Sequence, residues 1–332
     1  MYFIAEIGVN HEADLKKAYR CIKDAKEGGA QAVKFQCYKA EKIASKYAGA
    51  YWDKKEEKEN SQLKLYKKFD KFNHKDYLKI ISYCKKLNID FIVTPFDLDS
   101  INFFKNKVKY FKISSSDITN LPLIEKIAET RKPVILSTGA STKNEIKKAY
   151  KVLKKKINKI ILLHCILNYP TLKQNANLNM ITDLEKEYPN IGLSDHSVPK
   201  DSHKILLYSY LLGVRYIEKH FTINKRKKGN DHFHSFDKKD LKLFFKNLED
   251  VKKILGKKNK TFLSSEKISR KHARRSIFYN KDKNKNSILS LKDLIMLRPA
   301  IGENPFNYKK IIGKKLKIDQ KKGNLVKYKD LS

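Results

Sequence analysis

The sequence contains no apolar run approaching the roughly 18–20 residues that a membrane span requires, which argues against an integral membrane protein. Cysteine is scarce. Cys21, Cys37, Cys84 and Cys165 are widely spaced and form no CxxC pair. They read as free thiols of a reducing compartment, so a cytoplasmic location is expected. The opening Met1-Tyr2-Phe3-Ile4-Ala5-Glu6 reads as a strand and lacks the basic region and long apolar stretch of a signal peptide. Arginine is the most informative shortage. Of 73 basic residues eight are arginine and 65 are lysine, and the formal net charge is +37. Specific phosphate and base recognition leans on arginine forks. No helix-turn-helix, zinc-finger or RNP pattern occurs, and the lysines are spread over nearly every expected helix. The charge is therefore read as solvated lysine faces, with no specific nucleic-acid partner and no membrane partner, although the field attracts anionic substrates.

What is present fits a globular chain: 332 residues, 41% hydrophobic and 11% aromatic. A short apolar run, a loop and an amphipathic helix recur through the first two-thirds. The spacing predicts strands at Tyr2–Ile7, Ala32–Gln36, Asp90–Thr94, Tyr110–Ile113, Pro133–Ser137, Lys159–His164, Ile191–Ser194 and Val214–Glu218, with helical patterns between them and one, Lys239–Ile254, after the last. Eight alternations over about 250 residues point to a (β/α)8 TIM barrel. A doubly wound open sheet is the alternative, but the first turn, Gly8-Val9-Asn10-His11, is no glycine-rich dinucleotide loop. Tyr38–Phe72 is a long polar insertion, expected to be an active-site loop with its own helix. The expected organisation is a catalytic barrel over residues 1–258, a linker over 259–271 and a small, mostly β domain over 272–332, with short strands at Ser276–Tyr279, Ile295–Leu297, Lys315–Ile318 and Leu325–Val326.

In a barrel, function sits at the C-terminal ends of the strands. Those ends carry Glu6, then Lys34 and Gln36, Thr94, Lys112 with Ser114-Ser115-Ser116, Ser137-Thr138, His164-Cys165, Ser194-Asp195-His196 and Glu218-Lys219-His220. Such residues are costly in an ordinary core. Lys34 and Lys112 with nearby hydroxyls suit a phosphate or carboxylate. His196 and His220, from adjacent strands, suit a divalent metal with open positions. Glu6 suits proton transfer. His164 is left open between a rim hydrogen bond and a role in function. Cys165 has no activating partner and is not read as a nucleophile.

Taken together and in this order, Ile4–His11, Val33–Gln36, Thr94-Pro95-Phe96, Lys112–Ser115, Leu136–Gly139, Leu163–Cys165, Tyr169-Pro170, Gly192–His196, Ile217–Thr222 and Asp231-His232 resemble the sialic acid synthase family. Arg274-Arg275-Ser276 and Arg298-Pro299 with Gly302 resemble the antifreeze-protein-like (SAF) domain that ends those enzymes. The resemblance implies condensation of phosphoenolpyruvate with an N-acetylated amino sugar, N-acetylmannosamine or a relative, to a nine-carbon 2-keto sugar acid and phosphate. It implies Lys34, Thr94, Lys112, Ser115, Ser137 and Ser194 at phosphoenolpyruvate. It implies His196 and His220 on Mn2+, with Mg2+ or Co2+ as alternatives, and Glu6 as the catalytic acid or base. Gln36, Tyr169 and Asp231 fall at amino-sugar contacts. Arg298 falls at a position that reaches the neighbouring subunit in a domain-swapped homodimer. Three departures stand out. Ile166 and Leu167 occupy usually polar positions, leaving one anion contact missing or supplied by Asn168. Ala13 replaces a glycine, and Lys285-Asn286 replaces a turn glycine that a left-handed Asn satisfies. The rival readings are another phosphoenolpyruvate-dependent keto-sugar-acid synthase and a non-catalytic basic protein that binds polyanions or sugars.

Overall fold

A computed structural model describes residues 1–52, 54–55, 57–229 and 231–332. The chain divides into two compact units, Met1–Ile254 and Leu255–Ser332.

The first unit is a closed parallel barrel in which eight strands neighbour one another in sequence order, and β1 closes on β8. An open doubly wound sheet is thereby excluded. The strands are β1 (Tyr2–Gly8), β2 (Ala32–Cys37), β3 (Asp90–Pro95), β4 (Phe111–Ile113), β5 (Val134–Ser137), β6 (Ile160–Cys165), β7 (Ile191–Asp195) and β8 (Tyr216–His220). Each falls within two residues of its predicted span. A parallel strand buried on both faces reads as a near-continuous apolar run, which is why such sequences as Ile160-Ile161-Leu162-Leu163 were legible.

The helices start where side chains can satisfy free backbone N–H groups. Asp14 accepts from the N–H groups of Lys16 and Lys17 to open α1 (Leu15–Gly28). Between β2 and β3 lie α2 (Ala40–Ile43), α3 (Gln62–Phe69) and α4 (His74–Lys86), the last opened by a reciprocal Asn73–Asp76 cap. The expected insertion after β2 thus holds two short helices of its own. Then follow α5 (Leu98–Phe104), α6 (Leu121–Glu129), α7 (Lys143–Lys154), α8 (Asn179–Glu185), α9 (Pro199–Leu211) and α10 (Lys238–Leu255). The turn into α1 passes through Ala13 at φ +55°. That backbone costs a residue with a Cβ about 1 kcal/mol relative to glycine.

Alternate strand residues face opposite ways. Phe3, Ala5 and Ile7 point outward into the large core beneath the helices, while Ile4 points into the barrel. Inside, Ile4, Ala32, Ile92, Tyr110, Ile135 and Ile161 form an apolar layer. Gly192 belongs to the same inward set. A Cβ there would lie 2.5 Å from the carbonyl oxygen of Tyr216 and from the Leu163 side chain, so the barrel closes at this point only around glycine.

In the second unit, α11 (Lys267–Ala273) occupies residues whose Lys/Ser-rich composition reads as linker. β9 (Ser276–Tyr279) pairs antiparallel with β10 (Leu294–Leu297). The expected strands Lys315–Ile318 and Leu325–Val326 are not strands. They take part only in single bridges, Ile288 with Lys315, Leu316 with Leu331 and Phe278 with Leu325. One short helix follows, α12 (Tyr308–Ile311). A separate core gathers Ile277, Tyr279, Leu289, Leu294, Ile311, Leu316, Val326 and Leu331. Asn286 takes φ +67°, the left-handed turn expected of it. The Ser276 hydroxyl donates to Pro299 O and accepts from the N–H groups of Ile301 and Gly302, which pins the loop carrying Arg298.

Candidate active site

On seven of the eight strands the inward face changes character two residues beyond the apolar layer; on β6 Ile161 is followed by Leu163. Ile4 gives way to Glu6, Ala32 to Lys34, Ile92 to Thr94, Tyr110 to Lys112 and Ile135 to Ser137. Gly192 gives way to Ser194 and Tyr216 to Glu218. These polar residues line one cavity of about 430 Å³. They are nearly sealed from solvent: Glu6 is 1% exposed, Lys112 3%, and Lys34 and Glu218 4% each. The period-2 rule that builds the core therefore also delivers the site. In β1 the pairing register slips between Glu6 and Gly8, a bulge at the strand end beside the cavity.

The charges form a compact cluster. Lys34 Nζ lies 2.9 Å from Glu6 Oε2 and donates to the Thr94 hydroxyl at 3.1 Å. Gln36 donates to the other Glu6 oxygen at 3.0 Å. Glu218 Oε1 stands 3.8 Å from both Lys34 and Lys112 and accepts from the Ser194 hydroxyl at 2.9 Å. Burial disfavours the Lys34 ammonium, but Glu218 and Glu6 outweigh it and hold its pKa above the ordinary lysine value. Lys112 has only Glu218 and the Ile113 carbonyl at 3.2 Å, and burial, reinforced by Lys34, pulls its pKa down. Burial favours protonation of Glu218, yet the two lysines hold it well below the carboxylate range. In this cluster Glu218 Oε2 and Ser137 Oγ have no hydrogen-bond partner. A buried polar atom left without a hydrogen bond needs an explanation. A ligand anion can accept from the Ser137 hydroxyl, and a water or ligand hydroxyl can donate to Glu218 Oε2.

Beside the anion pocket stands a cluster of imidazoles. The rings of His196 and His220 are 5.4 Å apart, and Tyr169 packs on His196 at 4.3 Å. His196 Nδ1 pairs with the Ile166 carbonyl at 2.8 Å, which leaves Nε2 free to ligate. Burial, with His220 nearby, lowers the His196 pKa to about 4, so the ring is neutral, as a metal ligand must be. Asp231 lies 3.1 Å from His220 Nδ1, and His220 and His234 hold its carboxyl well below the ordinary range against the effect of burial. A neutral His196, an ionised Asp231 and unpartnered ring nitrogens on His220 and His234 fit a divalent cation.

Of the residues singled out from the sequence, Glu6, Lys34, Gln36, Thr94, Lys112, Ser115, Ser137, Tyr169, Ser194, His196, His220 and Asp231 all line the cavity. Arg298 lies in the second unit, exposed. Leu167 lines the cavity, whereas Asn168 is exposed and absent from its wall, so Asn168 does not replace the missing anion contact. His164 is resolved as a rim residue, its Nε2 bonded to the Ala176 carbonyl at 2.8 Å. Burial raises the Cys165 thiol pKa, consistent with no nucleophilic role, and all four cysteines are free and buried. Glu218 carries the electrostatics of the pocket, and sequence reasoning gave it no role. Its inward parity with Tyr216 and His220 was the available signal. The insertion after β2 adds an aromatic wall from Tyr38, Tyr51, Trp52 and Tyr66. Among the described residues no helix is long and apolar enough to cross a membrane.

The model of the NeuB family matches residues 21–260. N,N'-diacetyllegionaminic acid synthase of Campylobacter jejuni is 37% identical over 98% of this chain and 98% of its own length. N-acetylneuraminate-9-phosphate synthase of Drosophila melanogaster is 30% identical over 95% of this chain and 92% of its own. Among solved structures, N-acetylneuraminic acid (sialic acid) synthetase of Leptospira borgpetersenii in complex with citrate superposes with a TM-score of 0.70 at 36% identity, over 81% of this chain and 89% of that one.

Proposed function

This chain belongs to the NeuB family, and from that premise we propose that it condenses phosphoenolpyruvate with the open-chain aldehyde of an N-acylated amino sugar, releasing phosphate and a nine-carbon 2-keto sugar acid. The observation that carries this reading is the charge cluster. Two buried lysines, two buried carboxylates and four hydroxyls converge in one pocket with polar atoms left unpartnered. A plain core does not retain such a set.

Lys34, Lys112, Thr94, Ser115, Ser137 and Ser194 hold the phosphate and carboxylate of phosphoenolpyruvate and keep that charge stabilised as the reaction proceeds. His196 and His220 hold a divalent metal, with Mn2+ the expected ion. When bound, it polarises the acceptor carbonyl and orients it. Carbon 3 of phosphoenolpyruvate bonds to the aldehyde carbon, whose oxygen gains a proton. Water adds at carbon 2 and loses a proton, and as the C–O bond to phosphate breaks the remaining C2 hydroxyl gives up its proton to the departing phosphate, leaving the ketone. Glu6 is placed to move one of these protons, with Gln36 and Lys34 fixing its carboxylate. Gln36, Tyr169 and Asp231 face the acceptor. Arg298 of a neighbouring chain contributes to the site. In support, Arg298 is exposed and its side chain makes no hydrogen bond among the described residues.

The acceptor carries no phosphate of its own. Among the described residues, Lys34 and Lys112 are the lysines or arginines lining the cavity, and both belong to the phosphoenolpyruvate cluster. Elsewhere the wall is uncharged or acidic, and it includes Tyr51, Trp52, Tyr66, Leu65, Glu57 and Asp117. Such a wall favours acetamido methyls and deoxy carbons over a second anion.

A panel of acceptors assayed for phosphate release tests this. We expect turnover with N-acetylmannosamine or acetamido-deoxy hexoses and at least about 100-fold lower kcat/KM with their 6-phosphates. Preference for an arabinose or erythrose phosphate would identify the rival synthase. Chelation should abolish turnover and Mn2+ restore it, and His196→Ala or His220→Ala should each weaken metal binding. Mixing Arg298→Ala chains with Glu6→Ala chains should restore part of the activity after subunit exchange. No recovery would remove Arg298 from the neighbour's site.

A further inference from the structure

A further group of donor atoms adjoins His196 at this end of the barrel. The ligand atoms of His220, Asp231 and His234 all lie within 4.8 Å of one another. The His234 ring is 4.8 Å from that of His220 and 6.4 Å from that of His196, and its Nε2 is 4.0 Å from Asp231 Oδ1. His234 is fully buried, and neither ring nitrogen has a hydrogen-bond partner. Other buried histidines of this barrel are different. His164 bonds the Ala176 carbonyl at 2.8 Å, and His232 meets the Thr222 hydroxyl at 2.7 Å and Glu12 at 3.2 Å. A histidine that merely fills space still needs its nitrogens satisfied, because water has been removed from them. His220 Nδ1 shows a related anomaly. It approaches Asp231 Oδ2 to 3.1 Å yet makes no hydrogen bond. A cation shared by these groups accounts for two of the three orphaned nitrogens, one on each ring, since an imidazole turns only one nitrogen to a given ion.

We propose that His234 is a third imidazole ligand of the metal, completing with His196, His220 and Asp231 a site of three nitrogens and one oxygen. The proposal rests on the reading of this barrel as a metal-dependent condensing site and adds a donor not among the expected ligands His196 and His220. The geometry is within reach. Two donors across one ion stand at most about 4.2 Å apart, so the 4.8 Å outer limit closes with a small rotation of the rings. Two consequences follow. Four protein ligands leave two of six positions for substrate in an octahedral shell. And imidazole donors favour Co2+, Fe2+ and Zn2+, whereas Mg2+ and Mn2+ prefer oxygen, so His234 should matter more for the first group.

Full-length protein stripped with chelator is titrated with Co2+ and with Mn2+ by calorimetry, as wild type, His234→Ala and His196→Ala. We expect His234→Ala to weaken Co2+ binding about 10- to 100-fold and Mn2+ binding less. Pulsed EPR of Mn2+-loaded wild type, with and without 15N-histidine, should count three coordinated imidazoles. This second measurement decides the matter even if His234→Ala does not fold. If His196→Ala weakens binding while His234→Ala matches wild type, or if EPR counts two imidazoles, the proposal is overturned and the functional reading stands. If wild type binds no divalent cation, both fall.

Discussion

Two buried ionic clusters share one end of the barrel, and they are built differently. On the outward side of β7 and β8, Lys219 Nζ reaches Asp195 Oδ2 at 2.8 Å, the Ser197 carbonyl at 2.5 Å and the Asp195 carbonyl at 3.3 Å. Asp195 accepts in addition from the Ser197 hydroxyl at 2.7 Å and from the Ser202 hydroxyl. On the inward side, Lys112 has one carbonyl contact and a carboxylate at 3.8 Å, and Glu218 and Ser137 each keep an unpartnered atom. The first cluster is saturated by its own chain. The second is left incomplete in a cavity. Both are expensive to bury, but only the satisfied one recovers that cost without a ligand. Burial of a charge therefore does not distinguish scaffold from site in this protein, whereas saturation does.

The contrast is sharpest for the two lysines. Lys112→Met should lower kcat/KM for phosphate release by about 10³-fold, about 4 kcal/mol of transition-state stabilisation, because a fixed cation facing the substrate's charge is lost. Its midpoint in urea should stay level or rise, since a poorly paired buried cation is removed. A large fall in stability would erase the distinction between the clusters. Lys219→Met should do the reverse. It strands Asp195 and should cost about 3 kcal/mol or more in urea unfolding, while folded molecules keep their affinity for phosphoenolpyruvate. Ligand stabilisation separates them again. Phosphoenolpyruvate at about 100 times its Kd should stabilise the wild type by about 2.7 kcal/mol, readable as a higher Tm. Lys219→Met should retain that increment and Lys112→Met should lose most of it. The smallest effects belong to the hydroxyls. Ser202→Ala should cost about 1 kcal/mol of stability by depriving Asp195 of a donor. Ser137→Ala, whose hydroxyl has no protein partner, should leave stability unchanged and raise the KM for phosphoenolpyruvate.

Much of this was legible because a parallel strand repeats every two residues. Ile4 and Glu6, or Tyr110 and Lys112, must point the same way once the strand is placed, so a polar residue following an apolar one at that spacing marks the rim. The same rule distinguishes neighbours in Glu218-Lys219-His220, where the outer two face the cavity and the middle one faces the helices. Glu218 was legible by this parity, although only Glu6 was assigned a carboxylate role. Asn168 was credited with an anion contact on sequence proximity alone, but the loop after β6 turns it to solvent and presents Leu167 instead. In the tail, residues 315–318 alternate well enough for a strand, yet they find only single-bridge partners. Pairing is a property of neighbours and is invisible in a lone segment.

The sequence by itself determined the barrel, the ring of polar strand ends and the lysine-rich solvated faces, because each follows from local spacing. Only the tertiary structure decided which charges saturate one another and which stay open. It alone brought His234, fourteen residues past the end of β8, beside His220 and Asp231. The physical reason is that hydrogen-bond saturation depends on ångström-scale contacts between distant segments, and spacing along a chain carries no record of them.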